Sequence, residues 1–202
     1  MKKTNRVFGI FGNVYAMVIA AMMVAISVTG KVYAINIGLE LRISYENLPV
    51  ILSGIIMGPV VGFAVGVCAD LCGCLAMGYA VNPIITLGMA SLGVTSGIIS
   101  MLFRNRFSPV ALVVADLSSH IIGNIIIKTI GLAVYYGAEN GFFVLMGQRA
   151  LTYIPVVIFE IIIFEALLTN KYTQREINKM LAGKKKRPVT ADGEGDGKID
   201  VQ

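Results

Sequence analysis

Apolar residues run along this chain in long blocks, separated by short breaks marked by glycine, proline or charge. A helix that crosses a bilayer needs about 20 largely apolar residues. On that measure the pattern predicts six membrane helices, at about 11–30, 46–57, 59–77, 83–103, 109–136 and 149–170. The second block is short and shares Gly58-Pro59 with the third as a tight turn, since proline starts a helix but does not continue one. The first block exceeds a signal-peptide core of roughly 7–15 residues and is followed by further spans, so it reads as a retained helix.

Between the first two blocks the period changes. In "KVYAINIGLELRIS" (31–44), Ile35, Ile37, Leu39, Leu41 and Ile43 alternate with other residues, the period of a strand or extended flap. "GYAVNP" (78–83) and "YYGAENGFFVLMGQ" (135–148) read as two further loops on the same face, while the turns on the opposite face are minimal. A bundle with elaborate loops at one end is expected to work at that end.

Charge fixes the orientation. Lys2, Lys3, Arg6, Arg104, Arg106, Lys171, Arg175, Lys179, Lys184, Lys185, Lys186, Arg187 and Lys198 fall on one side, thirteen of the 17 basic residues. The positive-inside rule then puts both termini in the cytoplasm and the elaborate loops outside, in the cell membrane. With 56% hydrophobic and 14% charged residues and a mean hydropathy of +0.77, the chain reads as an all-α integral membrane protein of six transmembrane helices. Its expected organisation is a cytoplasmic segment at 1–10, a membrane domain at 11–172 and a disordered cytoplasmic tail at 173–202. In that tail "KKKRP" suits an anionic membrane surface, and no nucleic-acid partner is expected. Asp192, Glu194, Asp196 and Gly197 match the first half of a calcium loop but lack its twelfth-position glutamate, so no calcium site is expected.

There is no G-x-x-x-x-G-K-[ST] phosphate loop, no Ser-His-Asp spacing and no zinc spacing, so neither catalysis nor a metal or cofactor is expected. Cys68, Cys72 and Cys74 share one apolar helix and read as small packing residues. Polar residues inside the spans are the better guide, because each is unfavourable in lipid unless it is paired or faces a cavity. Asp116, His120, Asn124 and Lys128 recur every four residues and form one inward stripe. Asp116 and His120 read as a self-satisfied polar seam with Glu160 as a further partner, and Asn124 and Lys128 as ligand candidates. Asp70 lies at the depth of Lys128, and the two are expected either to pair or to flank one ligand. Arg149, read as opening the sixth helix, and Arg42, closing the flap, are cations suited to an anionic ligand, or simply snorkelling side chains. Ala16-x-x-x-Ala20 and Ala21-x-x-x-Ala25 provide small residues for close helix approach.

Two stretches carry a resemblance: "LRISYENLPVILSGIIMGPVVGFAVGVCADLCG" (41–73) and "GYAVNPIITLGMASLGVTSGIIS" (78–100). The block from Leu48 to Gly62, L-P-x-x-x-x-G-x-x-x-G-P-x-x-G, and the Ala69-Asp70-x-x-Gly73 element resemble the S component, the substrate-binding subunit, of energy-coupling factor (ECF) vitamin transporters, most closely the folate-specific branch. The resemblance implies a six-helix vitamin-capturing fold without its own ATPase. The implied partners are a transmembrane coupling subunit and two cytoplasmic ATPase subunits. It also implies that Ala16, Ala20, Ala21 and Ala25 touch the coupling subunit. A folate ligand would draw on Asp70, Tyr79, Asn82 and Asn124 for its pteridine and on Arg149, Lys128 or Arg42 for its glutamate tail. The residues leave open another vitamin of pyridoxine, pantothenate or thiamine type, and a small structural or channel-like membrane protein.

Overall fold

A computed structural model describes residues 14–37, 41–136 and 142–182. Helix α1 (Val14–Val32) leads into an antiparallel hairpin of β1 (Ile35–Ile37) and β2 (Leu41–Ile43), with Ile35 opposite Ile43 and Ile37 opposite Leu41. The period-two stretch is therefore a strand pair, as the alternation predicts. Residues 173–182, expected within the disordered tail, instead form most of a helix (Lys171–Ala182) whose Ile177 is buried in the core, while Leu39 and the residues beyond 182, where no calcium site is expected, lie outside the described residues.

Next come α2 (Asn47–Met57), α3 (Pro59–Met77) and α4 (Pro83–Leu102). The fifth rod runs through α5 (Pro109–Ser119), a π-helical stretch (His120–Ile127) and α6 (Lys128–Tyr136). The chain continues in α7 (Phe142–Leu168) and α8 (Lys171–Ala182). Proline supplies the first residue of α3, α4 and α5, where its missing N–H is not needed. Side chains cap two of these starts: Asn82 Oδ1 accepts from the Ile84 N–H at 3.0 Å and Ser108 Oγ from the Ala111 N–H at 3.3 Å. Gly58, between α2 and α3, has φ 96° and ψ 173°, a conformation closed to most other residues, which explains the tight turn.

Among the described residues, five helices are long and apolar enough to cross a membrane: α1, α3, α4, the fifth rod and α7. Helix α2 has 11 residues, and at 1.5 Å per residue it spans about half of a hydrocarbon core. It does not need to span alone, because Asn47 and every residue from Pro49 to Met57 are buried by surrounding helices. Backbone approach is close there: a Cβ on Gly93 would overlap the Gly62 carbonyl, and one on Gly62 would lie 2.7 Å from the Gly93 carbonyl carbon. Ile51, Ile55, Met89, Leu92, Leu112 and Phe164 fill the core, while Leu75, Leu102, Phe143 and Leu151 face outward, apolar outside as well as in.

Two expectations change. The sixth helix begins at Phe142, not at residue 149, so Arg149 lies about two turns inside it. The apolar Phe142–Met146 run continues the helical face, and the arginine is tolerated because it reaches a backbone carbonyl of the fifth rod. Of the three cysteines, only Cys74 is buried; Cys68 and Cys72 are exposed on the outside of the bundle and do not pack within it.

Candidate functional site

The C-terminal end of α1, the N-termini of α2, α4 and α7 and the second half of the fifth rod meet at the end of the bundle that carries the hairpin, and β2 packs against α7 there. Two buried lysines are held at this end. Lys31, in the last turn of α1, points inward, and its Nζ donates to Asp70 Oδ1 at 2.6 Å and Cys74 Sγ at 3.3 Å. The second Asp70 oxygen accepts from Thr86 Oγ1 at 2.6 Å. Direct pairing of Asp70 with Lys128, one of two arrangements expected from sequence, is therefore corrected: Lys31 takes the carboxylate. Depth along a helix locates a charge vertically, but only lateral packing decides which of two lysines reaches it.

Lys128 is 5% exposed and lies instead near the start of α2. Its Nζ donates to Asn47 Oδ1 at 3.3 Å and Met89 Sδ at 3.4 Å, and Glu46 Oε1 is 3.9 Å away. These contacts are long for an ammonium, whose charge-assisted bonds run at about 2.7–2.9 Å. Beside it, Glu46 Oε2 and Thr129 Oγ1 are buried without a hydrogen-bond partner among the described residues. The Lys31–Asp70–Thr86 group is saturated, whereas the Lys128–Glu46–Asn47 group retains bonding capacity.

Both lysine stems cross helices at glycine. A Cβ on Gly73 would lie 2.5 Å from Lys31 Cδ, and one on Gly88 would lie 2.6 Å from Lys128 Cγ. The absent side chains are what admit the cations.

Deeper in the bundle, His120 Nε2 lies 2.6 Å from Glu160 Oε2, and Asn124 Nδ2 lies 2.8 Å from His120 Nδ1. The expected seam is present, with one change: His120 turns to Glu160, leaving Asp116 Oδ1 at 3.7 Å, beyond hydrogen-bond reach. The i,i+4 pair therefore does not satisfy itself. In α geometry a four-residue stripe drifts by about 40° per step. The wider π turns at His120–Ile127 turn less per residue and offset the drift, so Asp116, His120, Asn124 and Lys128 are all buried. Arg149 Nη1 donates to the Asn124 carbonyl at 3.4 Å.

The remaining candidates divide. Asn82 is buried and uses both ends of its amide, capping α4 and donating from Nδ2 to the Gly131 carbonyl at 3.2 Å. Tyr79 follows the left-handed cap at Gly78 and is about half exposed, apart from the charged groups. The Arg42 backbone lies in β2 opposite Asn36, and its side chain is outside the described residues. Ala16 is buried in the core with Ala20 packed beside it, whereas Ala21 and Ala25 face outward. Sequence reasoning did not single out Lys31, Glu46, Asn47 or Thr86. The available signal was a polar side chain within about one turn of a span's outer end; which of these meet is decided by lateral packing.

These features define a multi-pass membrane protein with ionic groups gathered at one end of a helical bundle. The sequence matches the family described as ECF transporter, substrate-specific component, over residues 15–168, and the chain belongs to that family, whose members are the substrate-binding subunits of transporters. The fold is similar to a crystal structure of FolT bound with folic acid, with a TM-score of 0.64 and 22% identity, covering 77% of this chain and 93% of that one. A structure of the S component of a bacterial ECF transporter gives a TM-score of 0.48 at 19% identity, covering 80% and 95%. A 67-residue stretch is 36% identical to the uncharacterized protein MG313 homolog of Mycoplasma pneumoniae (strain ATCC 29342 / M129 / Subtype 1), covering 33% of this chain. The chain spans about a quarter (24%) of the length of that curated relative.

Proposed function

We propose that this chain is the folate-binding S component of an ECF-type importer, with six spans counting α2, both termini cytoplasmic and the hairpin end facing outward from the cell membrane. The vitamin is captured beneath the hairpin. Uptake requires a transmembrane coupling subunit and two cytoplasmic ATPase subunits, and α1 meets the coupling subunit through Ala21 and Ala25. The observation that carries this reading is the unsaturated ionic group at the hairpin end: a buried ammonium with only long contacts, beside a carboxylate oxygen without a partner. Folate has matching chemistry at both ends. Its pteridine presents adjacent N–H donors that a carboxylate such as Glu46 accepts in pairs and a ring carbonyl that accepts from Lys128 beside it, and its glutamate tail accepts from Arg149 and Arg42. Asp70 contributes by fixing Lys31, Asn124 by receiving Arg149, and Asn82 and Tyr79 by shaping the rim around α4.

Equilibrium binding of radiolabelled folic acid to the purified chain in detergent, in competition with a panel of B vitamins, tests the proposal. Saturable binding displaced by unlabelled folates alone is the expected result. Saturable binding of another labelled vitamin of the panel in place of folic acid would retain the S-component reading and remove folate, and no saturable binding of any labelled vitamin would remove both.

A further inference from the structure

The Asp116–His120–Glu160 group is not at the hairpin end, and the folate proposal makes no use of it. Its three donors come from two helices that touch across the bundle, and their ligand atoms all lie within 4.8 Å of one another. Asp116 and Glu160 are 0% exposed and His120 2%. Both Asp116 oxygens, Glu160 Oε1 and Asn124 Oδ1 have no hydrogen-bond partner among the described residues. In a hydrocarbon-embedded bundle such groups are unfavourable by several kcal/mol each unless something satisfies them.

Charge makes the same demand. With both carboxyls ionised and the imidazole neutral, the three side chains would carry a double negative charge. The nearby basic side chains of described residues make their hydrogen bonds elsewhere: Lys128 to Asn47 and Met89, Arg149 to the Asn124 carbonyl. A single divalent cation would supply both the missing charge and a partner for the orphaned oxygens.

We propose that Asp116, His120 and Glu160 form a binding site for a divalent transition-metal ion of the Zn2+ type, which staples the fifth rod to α7 within the membrane. One imidazole and two carboxylates suit such an ion better than soft Cu(I) or all-oxygen Ca2+. In a tetrahedral site with bonds of about 2.1 Å, donors lie about 3.4 Å apart. The observed separations from His120 Nε2, 2.6 Å to Glu160 and 3.7 Å to Asp116, bracket that value. Asn124 plays the supporting part. With its amide turned so that Oδ1 accepts from the His120 Nδ1–H, the Nε2 lone pair faces the carboxylates and the orphaned amide oxygen gains a partner. Sequence placed Glu160 at the depth of Asp116 and His120 as a partner in a polar seam; the close convergence of the three donors, with oxygens left over, comes from the packing of α7 on the fifth rod.

The test uses the full chain in detergent, stripped with a chelator and titrated with Co2+ and then Zn2+. Visible Co2+ absorption that saturates at a single ion per chain and is displaced by Zn2+ is expected. Asp116→Asn and Glu160→Gln should each abolish the absorption, Asn124→Ala should weaken binding about tenfold, and Cys68→Ser/Cys72→Ser should leave it unchanged. No saturable absorption in the wild-type chain overturns the proposal and leaves protons as the neutralising charge, and loss of the signal with the cysteines overturns it too. Folate binding in the same stripped sample is scored separately, so failure of this site is distinct from failure of the substrate reading.

Discussion

Lys31 and Asp70 form a buried ion pair between the last turn of α1 and the C-terminal half of α3, with Nζ 2.6 Å from Oδ1. The pair explains why a carboxylate persists inside an apolar helix. Each charge removes the isolation of the other, and Thr86 completes the second oxygen. Breaking a buried pair from one side leaves an uncompensated charge, typically worth about 3–5 kcal/mol. Lys31→Met and Asp70→Asn should therefore each lower the unfolding midpoint in detergent substantially, and the double variant should lie well above the sum of the two losses. Additive losses would mean that the pair is not coupled.

The Lys128 group behaves differently, because its contacts are long and a neighbouring oxygen has no partner. A polar atom that awaits a ligand contributes little to the unliganded fold. Lys128→Met should leave the unfolding midpoint near wild type or raise it slightly, while weakening folate binding by tenfold or more, about 1.4 kcal/mol per decade. Glu46→Gln should also weaken binding, through the lost charge–N–H pairing. Equilibrium binding and thermal unfolding on the same preparations separate the two effects.

Gly88 tests the access route of that lysine. An added methyl would meet Lys128 Cγ at 2.6 Å and the Gly123 carbonyl at 3.1 Å, so both the stem and the π stretch must shift. Gly88→Ala should lower stability by about 1–3 kcal/mol, as overpacking does, and reduce folate affinity with it. Gly73→Ala presses on Lys31 Cδ at 2.5 Å and should reproduce the instability of Lys31→Met. Wild-type unfolding of both variants would show that the stems have room to move aside.

Spans and the hairpin were legible in the sequence because their signals are local: a long apolar run, a proline at a helix start, an alternation of period two. The depth of Asp116, His120 and Glu160 was legible for the same reason, and it led to the seam. Lateral relationships were not. Lys31 was not singled out, and Lys128 read as pairing with Asp70 or flanking a ligand with it, since depth alone does not say which lysine packs beside α3; Lys31 crosses at Gly73 and Lys128 at Gly88. Arg149 misled in another way. A charge beside Gln148 resembles a helix boundary, but an arginine long enough to reach the Asn124 carbonyl can sit two turns inside.

The alanines of α1 provide the last prediction, because the structure divides a pattern that sequence treated as one. Ala16 and Ala20 pack into this chain's own core, while Ala21 and Ala25 present a small-residue strip on the outside of the helix. Only the outer pair is placed to admit another helix. Ala25→Trp and Ala21→Trp should leave folate binding by the isolated chain unchanged and abolish both co-purification with the coupling subunit and ATP-driven uptake. Ala16→Trp should instead disrupt folding, since Ala16 is buried in the core and leaves no room for the ring. If Ala21→Trp and Ala25→Trp both retain full uptake in vesicles that contain the complete transporter, the partner docks on another face of the bundle.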